Sequence, residues 1–598
     1  MQHCLNEKEE KSITRIFELI VKRYAEKIAV EAGTERISYT ELNRKSNQVA
    51  HMLREKGVGK EDIVAIFVDK SIQTISCILG ILKAGAAYLP IDMLLPNSRI
   101  KYMLQKGNIK FIMNIELVRN ELKTMLQGCD ISIIDNYEWK KCPQSAVDGQ
   151  REKNSLAYVM YTSGSEGSPK GVMIEDKGII RLVVKEDYFP FSSEWNILQS
   201  STLVFDASVF EVFGSLLNGA TLHLIKTETL LNGEELKHWL EKQPIDLMFL
   251  TTPLFHQLVN VDVSIFDSVR NLVVGGDVLL SEPVRRLKEY NSTIHLFNGY
   301  GPTENTTFST FYEVPSEIPD NIPIGKAISC STTYIWNEKQ EPVKLGEVGE
   351  LYVGGEGVGR GYIHNEKMTE EKFIRHPKTG ERLYRTGDLA KWNGDGNIEF
   401  MGRVDSQIKI RGFRIELQEI QNTINKLTSV RECAVICEVC GGEKILKAYL
   451  ALKKTVRIEE LQKQLREKLP SYMIPHKMII IDHLPLNSNG KIDKQKLTQT
   501  NQGKKEQHKM ELLEINTSEA SQEACDEEIR VISILNQQLQ QRVSLEDDLY
   551  EIGFNSITAV KILSALRKQG YMVNIKEILN VRTVRDMLDM ILQKRSAE

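Results

Sequence analysis

The sequence predicts an α/β protein: a large N-terminal region with α/β sheets, a small α+β region, and a C-terminal four-helix bundle. Three observations predict it. Apolar, β-branched strands alternate with helical spacing up to about residue 400. The rhythm changes after that point, and the final stretch has helical spacing with few strand signals.

In chain order, DIVAIFV, the helical stretch 72–83 and AYLPID make a strand–helix–strand unit over 62–92. Further strands are expected at 110–113, 131–134, 156–161, 221–225, 246–250, 271–274 and 294–297, with helical patterns between several of them. Such alternation argues largely parallel sheets. Later strands are expected at 404–410, 432–439 and 446–452, and helices at 415–427 and 457–468. Residues 498–522 are polar and poor in aromatics, as a linker is. The boundaries that follow are 1–404, 405–497, a linker at 498–522, and 523–598.

Composition narrows the function classes. Lys and Arg number 77 against 81 Asp and Glu, a net charge of −4, which argues against a largely electrostatic nucleic-acid binder. Nine scattered Cys fit a reducing cytoplasm better than a disulfide scaffold. The N-terminus, MQHCLNEKEEK, is charged where a signal peptide is apolar. No apolar run reaches the ~18 residues of a membrane span. A cytoplasmic, multidomain protein is expected, with no nucleic-acid or membrane partner.

The most informative segment is YTSGSEGSPKG at 161–171, directly after an apolar strand. Gly164, Gly167 and Gly171 allow close backbone approach, Thr162, Ser163, Ser165 and Ser168 offer hydroxyls, and Lys170 a cation. Such a loop can wrap a polyphosphate. It does not fit the Walker A spacing. Taken alone, it also reads as a surface loop.

This loop resembles the phosphate loop of the adenylate-forming superfamily. SYTEL (38–42), LKAGAAYLPID (82–92), FDAS (205–208), NGYGPTEN (298–305), GELYVGGEGVGRGY (349–362), YRTGDL (384–389), GRVDSQIKIRGFRIEL (402–417), LPSYMIP (469–475) and NGKID (489–493) follow in order. Together they resemble the adenylation domains of nonribosomal peptide synthetases. One departure is Glu166, where the family usually has Thr; a carboxylate beside a triphosphate repels it if it points inward.

The resemblance implies ATP and Mg²⁺ as cofactors and assigns roles. Adenylation joins two anions, so the site must neutralise charge and align the attack. Lys491 resembles the catalytic lysine bridging the carboxylate and the α-phosphate. Asp388 resembles the acceptor for the ribose hydroxyls, and Glu304 the Mg²⁺ carboxylate. Thr303 faces the phosphates, Asn298 and Tyr300 flank the adenine, and Arg403 contacts the nucleotide near the ribose. Asp405 sits at the family's hinge, about which the small domain withdraws Lys491 and presents 407–412. Lys409 and Gly412 then line the thiolation tunnel. For each, an ordinary surface, turn or capping role is the alternative.

DDLYEIGFNSITAVKIL (547–563) resembles a peptidyl carrier domain. Ile557, Val560, Leu563 and Leu566 follow Ser556 at three-residue steps, giving an apolar stripe and placing Ser556 near a helix N-terminus. That end favours a phosphodiester, so Ser556 is the expected attachment site of 4′-phosphopantetheine. Ser556 alone also reads as an N-cap. Phe554 stands where peptide carriers usually have Gly. Two other clusters carry little: Cys433, Cys437 and Cys440 lack zinc spacing, and GEGVGRG (355–361) lacks a following Rossmann unit.

The flanking motifs carry the family's substrate pocket onto Asp206, Ala207, Phe210, Phe249, Val273, Gly275, Gly299, Thr307 and Phe308. Asp206 matches the carboxylate that holds an α-ammonium group. The other residues carry no charge, and the lining resembles pockets for valine and, nearly as well, isoleucine. The implied partners are the amino acid, a phosphopantetheinyl transferase and a downstream condensation or tailoring enzyme. No condensation or thioesterase segment fits the length, so a discrete loading unit is expected. Two alternatives stay open: a degenerate adenylation–carrier scaffold, which Glu166 and Phe554 favour, and a ligase for a different acid. Lys491, Asp206, Asp388 and Ser556 favour the amino-acid ligase.

Overall fold

The computed structural model describes residues 12–114, 131–135, 138–147, 151–164, 168–184, 188–405, 407–410, 412–440, 443–454, 456–485 and 522–539, with shorter pieces at 124, 126, 492–493, 496–497 and within 543–595. It divides into two compact units. One holds 1–226, 237–419 and 466–472; the other holds 227–236, 420–465 and 473–598.

The first unit contains two large, mostly parallel sheets. One has nine strands, and its centre runs Ile28–Ala32, Thr221–Leu224, Asn196–Gln199, Leu247–Thr251, Asn271–Gly275 and His295–Tyr300, all parallel. The other has seven, with Leu156–Thr162, Ala87–Ile91, Ile63–Phe67, Phe111–Asn114 and Ser132–Asp135 parallel and Lys170–Glu175 returning antiparallel. The central strands, such as 64–67, Ala87–Ile91 and 272–275, are buried on both faces, which is why they read as continuous apolar runs. The motif SYTEL starts a helix, Tyr39–Glu55, through a capping box in which the Ser38 side chain accepts from Glu41 N–H and the Glu41 carboxylate accepts from Ser38 N–H.

A third, antiparallel sheet joins Ser331–Trp336, Gly349–Gly355, Phe373–Arg375, Arg382–Trp392 and Ile398–Arg403. None of these strands was expected from the sequence. Segments such as RLYRTGDLAKW mix charges and Gly with apolar residues, because only part of each strand is buried.

The expected strand at 404–410 and helix at 415–427 are corrected to a hairpin and a shorter helix. Gln407–Ile410 pairs antiparallel with Phe413–Glu416, and the helix spans Leu417–Asn425. Gly412 takes φ +83° between the two strands, a conformation open to glycine. FRIE alternates with period two, so it belongs to a strand and not to the helix's first turn.

The second unit holds a three-stranded sheet, Val430–Cys440, Glu443–Leu452 and Lys477–Ile480, and the helix Ile458–Arg466. Cys433 is buried on the first strand, with its thiol against the Gln421 carbonyl at 3.4 Å. Three long helices follow among the described residues: Gln522–Leu539, Ser556–Lys568 and Val584–Arg595. Of the expected stripe, Leu563 and Leu566 lie in the core of this helical region together with Ala559 and Ile562, while the side chains of Ile557 and Val560 lie outside the described residues. Phe554, a departure in sequence, is 1% exposed in the same core.

Candidate functional site

The phosphate loop closes a hairpin in which Thr162 and Lys170 are register partners. Hydroxyl and ammonium therefore stand side by side at its base. The Ser163 hydroxyl donates to the Arg414 carbonyl at 2.8 Å, and Gly164 N–H donates to Glu419 at 3.3 Å. A Cβ on Gly164 would collide with the Ser168 carbonyl. The Thr162 hydroxyl is buried without a hydrogen-bond partner among the described residues. Ser165, Glu166 and Gly167 lie outside the described residues, as does Lys491.

The strand His295–Tyr300 runs into a short turn, Thr303–Asn305, followed by Thr306 and Thr307 at φ +50° and +65°. Non-glycine residues held there are strained, as residues at functional sites often are. The turn drives Glu304 into the interior at 0% exposure. Arg414 Nη1 donates to its two carboxylate oxygens at 3.0 and 2.8 Å, the Tyr362 hydroxyl donates at 2.7 Å, and Lys170 Nζ lies 3.3 Å away. Burial alone would raise the Glu304 carboxyl, but Arg414, Lys170 and Tyr362 hold it well below the usual carboxylate range. Burial and the neighbouring Arg414 push Lys170 down to about 8, against the pull of Glu304.

Asp388 and Arg403 are cross-strand partners and form an ion pair. The Tyr300 hydroxyl donates to the same carboxylate. Arg403 also grips Asp405 with Nε and Nη2, both at 2.7 Å, and Gln407 at 3.0 Å. Burial works against the charged Asp405, yet Arg403 keeps its carboxyl low. The Asn298 amide donates to the Pro323 carbonyl at 2.8 Å.

The pocket residues come together. Asp206 immediately precedes the helix Ala207–Leu216 without a side-chain capping bond, and burial raises its carboxyl against the Thr303 hydroxyl and the Lys409 charge. The Thr307 hydroxyl donates to the Asp206 carbonyl at 2.8 Å. The Phe308 ring lies 5.2 Å from Phe210 and 6.0 Å from Phe249. Val273 and Gly275 lie on one strand, and Gly275 is the register partner of Gly299 on the next. A Cβ on Gly299 would stand 2.6 Å from Phe308, so this wall closes only around glycine.

The hairpin after Asp405 belongs to the same unit. Lys409 and Arg414 are register partners and share a face. Burial lowers the Lys409 ammonium, while Asp388, Asp277 and Asp206 pull it back up. Phe413 stacks on Tyr472 at 4.0 Å and packs edge-on against Phe205 at 4.9 Å. A side chain at Gly412 would press on Thr251. Sequence reasoning missed Arg414 and Tyr362. The signal for Arg414 was present: in FRIE it alternates with Phe413 and Ile415, a cation on the opposite face. Tyr362 carried none, since its partner Glu304 is 58 residues away.

Glu304 fits a Mg²⁺ site as a buried hard oxygen donor, provided Arg414 is withdrawn. The helix Ser556–Lys568 begins at Ser556, whose side chain lies outside the described residues; a helix start fits a phosphodiester.

Three family models match the chain: AMP-binding enzyme over 17–363, AMP-binding enzyme C-terminal domain over 419–491, and phosphopantetheine attachment site over 530–591. Tyrocidine synthase 3 of Brevibacillus parabrevis is 39% identical over 93% of this chain, and bacitracin synthase 1 of Bacillus licheniformis is 37% identical over 94%. The chain spans 8% and 10% of those relatives' lengths. A solved structure of a holo NRPS protein containing adenylation and PCP domains, bound to a vinylsulfonamide inhibitor, superposes with a TM-score of 0.82 at 25% identity, covering 98% of this chain and 97% of that one. No described helix is long and apolar enough to cross a membrane. ATP, Mg²⁺ and 4′-phosphopantetheine are the cofactors that these domains use. The chain belongs to the AMP-binding enzyme family and carries, after that family's C-terminal domain, a phosphopantetheine attachment site.

Proposed function

We propose that the chain activates L-valine, and isoleucine less well, as the aminoacyl-AMP and transfers it to the phosphopantetheine thiol on Ser556. The carrying observation is the buried Asp206, whose carbonyl accepts from Thr307, beside the contacting rings of Phe210, Phe308 and Phe249. Asp206 pairs with the α-ammonium group, which fixes the carboxylate toward the phosphate loop. Thr162, Ser163 and Lys170 hold the polyphosphate, and Asp388 accepts from the ribose. Lys491 bridges the carboxylate and the α-phosphate as the new P–O bond forms and pyrophosphate leaves. Mg²⁺ neutralises phosphate oxygens when bound at Glu304. Ser556 would hold the phosphopantetheine, which would supply the thiol nucleophile for the second half-reaction, with AMP as the leaving group. Asp405 is the hinge between the two arrangements. A phosphopantetheinyl transferase and a downstream condensation or tailoring enzyme are the partners this reading needs.

The pocket has a testable edge. Phe249→Ala should enlarge it and shift exchange toward longer aliphatic or aromatic amino acids. The wild-type pocket should reject charged side chains, whose burial without a partner costs several kcal/mol. Rates for leucine and phenylalanine relative to valine in the variant check this.

Lys170 gives a pH dependence. Its ammonium, pushed down to about 8, is charged below that pH and neutral above it. The KM for ATP should therefore rise as pH passes from 7.5 to 9.5, and Lys170→Arg should flatten that rise. Folding stability runs the other way: between about 8 and 10.5 the unfolded chain holds more proton on this lysine, so stability increases with pH. Paired ATP titrations and melting curves over that range separate the two trends.

A further inference from the structure

The carboxylate of Glu304 is already used. Its two oxygens accept from Arg414 at 3.0 and 2.8 Å, and one of them also accepts from Tyr362 at 2.7 Å with Lys170 at 3.3 Å. A Mg²⁺ bound to either oxygen would stand ~2.1 Å from it, against the Arg414 guanidinium. Two cations then compete for one buried carboxylate. The second observation is independent: the Arg414 carbonyl takes the hydroxyl of Ser163, a phosphate-loop group. One residue thus engages both the acidic turn and the loop. A third observation concerns the guanidinium's own hydrogen bonding. Arg414 Nε is buried with no hydrogen-bond partner among the described residues, unlike a fully satisfied structural ion pair. Arg414 rides on a hairpin whose other strand carries Lys409 toward Asp206, Asp277 and Asp388.

We infer that Arg414 is a positioning residue that takes the divalent cation's place at Glu304, so that the seated hairpin and a metal–polyphosphate exclude each other. The inference rests on the adenylation reading for the second ligand's identity. It gives the order of events a physical basis: the hairpin cannot seat for thiol transfer until metal and pyrophosphate have left Glu304, and once seated it blocks their return.

The test uses the full holo chain and Mn²⁺ as the metal. In Arg414→Met, Mn²⁺·ATP binding read by electron paramagnetic resonance should tighten by about 10-fold, because the competing occupant is gone. Loading from supplied valyl-AMP should slow, and its inhibition by added Mn²⁺–pyrophosphate should weaken in Arg414→Lys less than in Arg414→Met. Unchanged or weaker Mn²⁺·ATP binding in a variant whose melting curve matches wild type overturns the inference. So does equal loss in both half-reactions for Arg414→Lys. The Mn²⁺ titration contains no amino acid, so failure of the valine reading leaves it informative: that failure shows only as absent exchange in the wild type.

Discussion

Replacing Ser556 by alanine is expected to abolish covalent loading and leave amino-acid-dependent ATP–pyrophosphate exchange near the wild-type rate. The helix Ser556–Lys568 begins at this residue, and its buried side, Ala559, Ile562, Leu563 and Leu566, belongs to a core of its own with Phe554 and Val531. Alanine is tolerated at a helix start, with a loss of about 1 kcal/mol if the hydroxyl caps the helix. The fold should therefore survive while the attachment oxygen is lost. Intact-mass measurement after treatment with a phosphopantetheinyl transferase and coenzyme A decides the point. A phosphopantetheine mass increment on the variant places the attachment elsewhere.

Lys491→Ala should divide the two half-reactions. Exchange should fall by about 10²–10³, or ~3–4 kcal/mol, the scale of removing one preorganised contact to developing charge. Transfer from supplied aminoacyl-AMP should change little, because the hairpin that carries Lys409 and Arg414 already faces Asp206 and Glu304 in this arrangement. Single-turnover loading of the holo chain, with ATP in one series and the adenylate in the other, measures both. Equal loss in the two series contradicts a lysine that serves adenylation alone.

Much of this was legible in the sequence. The strands 156–161 and 271–274 fall within one residue of the observed Leu156–Thr162 and Asn271–Gly275, because strands buried on both faces carry unbroken apolar runs. The loop between Thr162 and Lys170 was legible from its Gly and hydroxyl content. The antiparallel sheet around Arg382–Trp392 was not, since its half-buried strands show neither unbroken runs nor clean alternation. Nor was the Glu304–Arg414–Tyr362 cluster, which joins three separate motifs through side chains alone. Phe554, which departs from the carrier pattern in sequence, fills the carrier core.

The central claim is that this chain activates an aliphatic amino acid held by Asp206. Amino-acid-dependent ATP–pyrophosphate exchange across the twenty amino acids tests it most directly. Valine should give the highest rate and isoleucine a lower one, within the roughly 10–200-fold that one methylene can supply. Phenylalanine and the charged amino acids should stay at background. Exchange that is strongest with an aromatic or charged amino acid, or with an acid lacking the α-amino group, contradicts the account, as does no exchange at all.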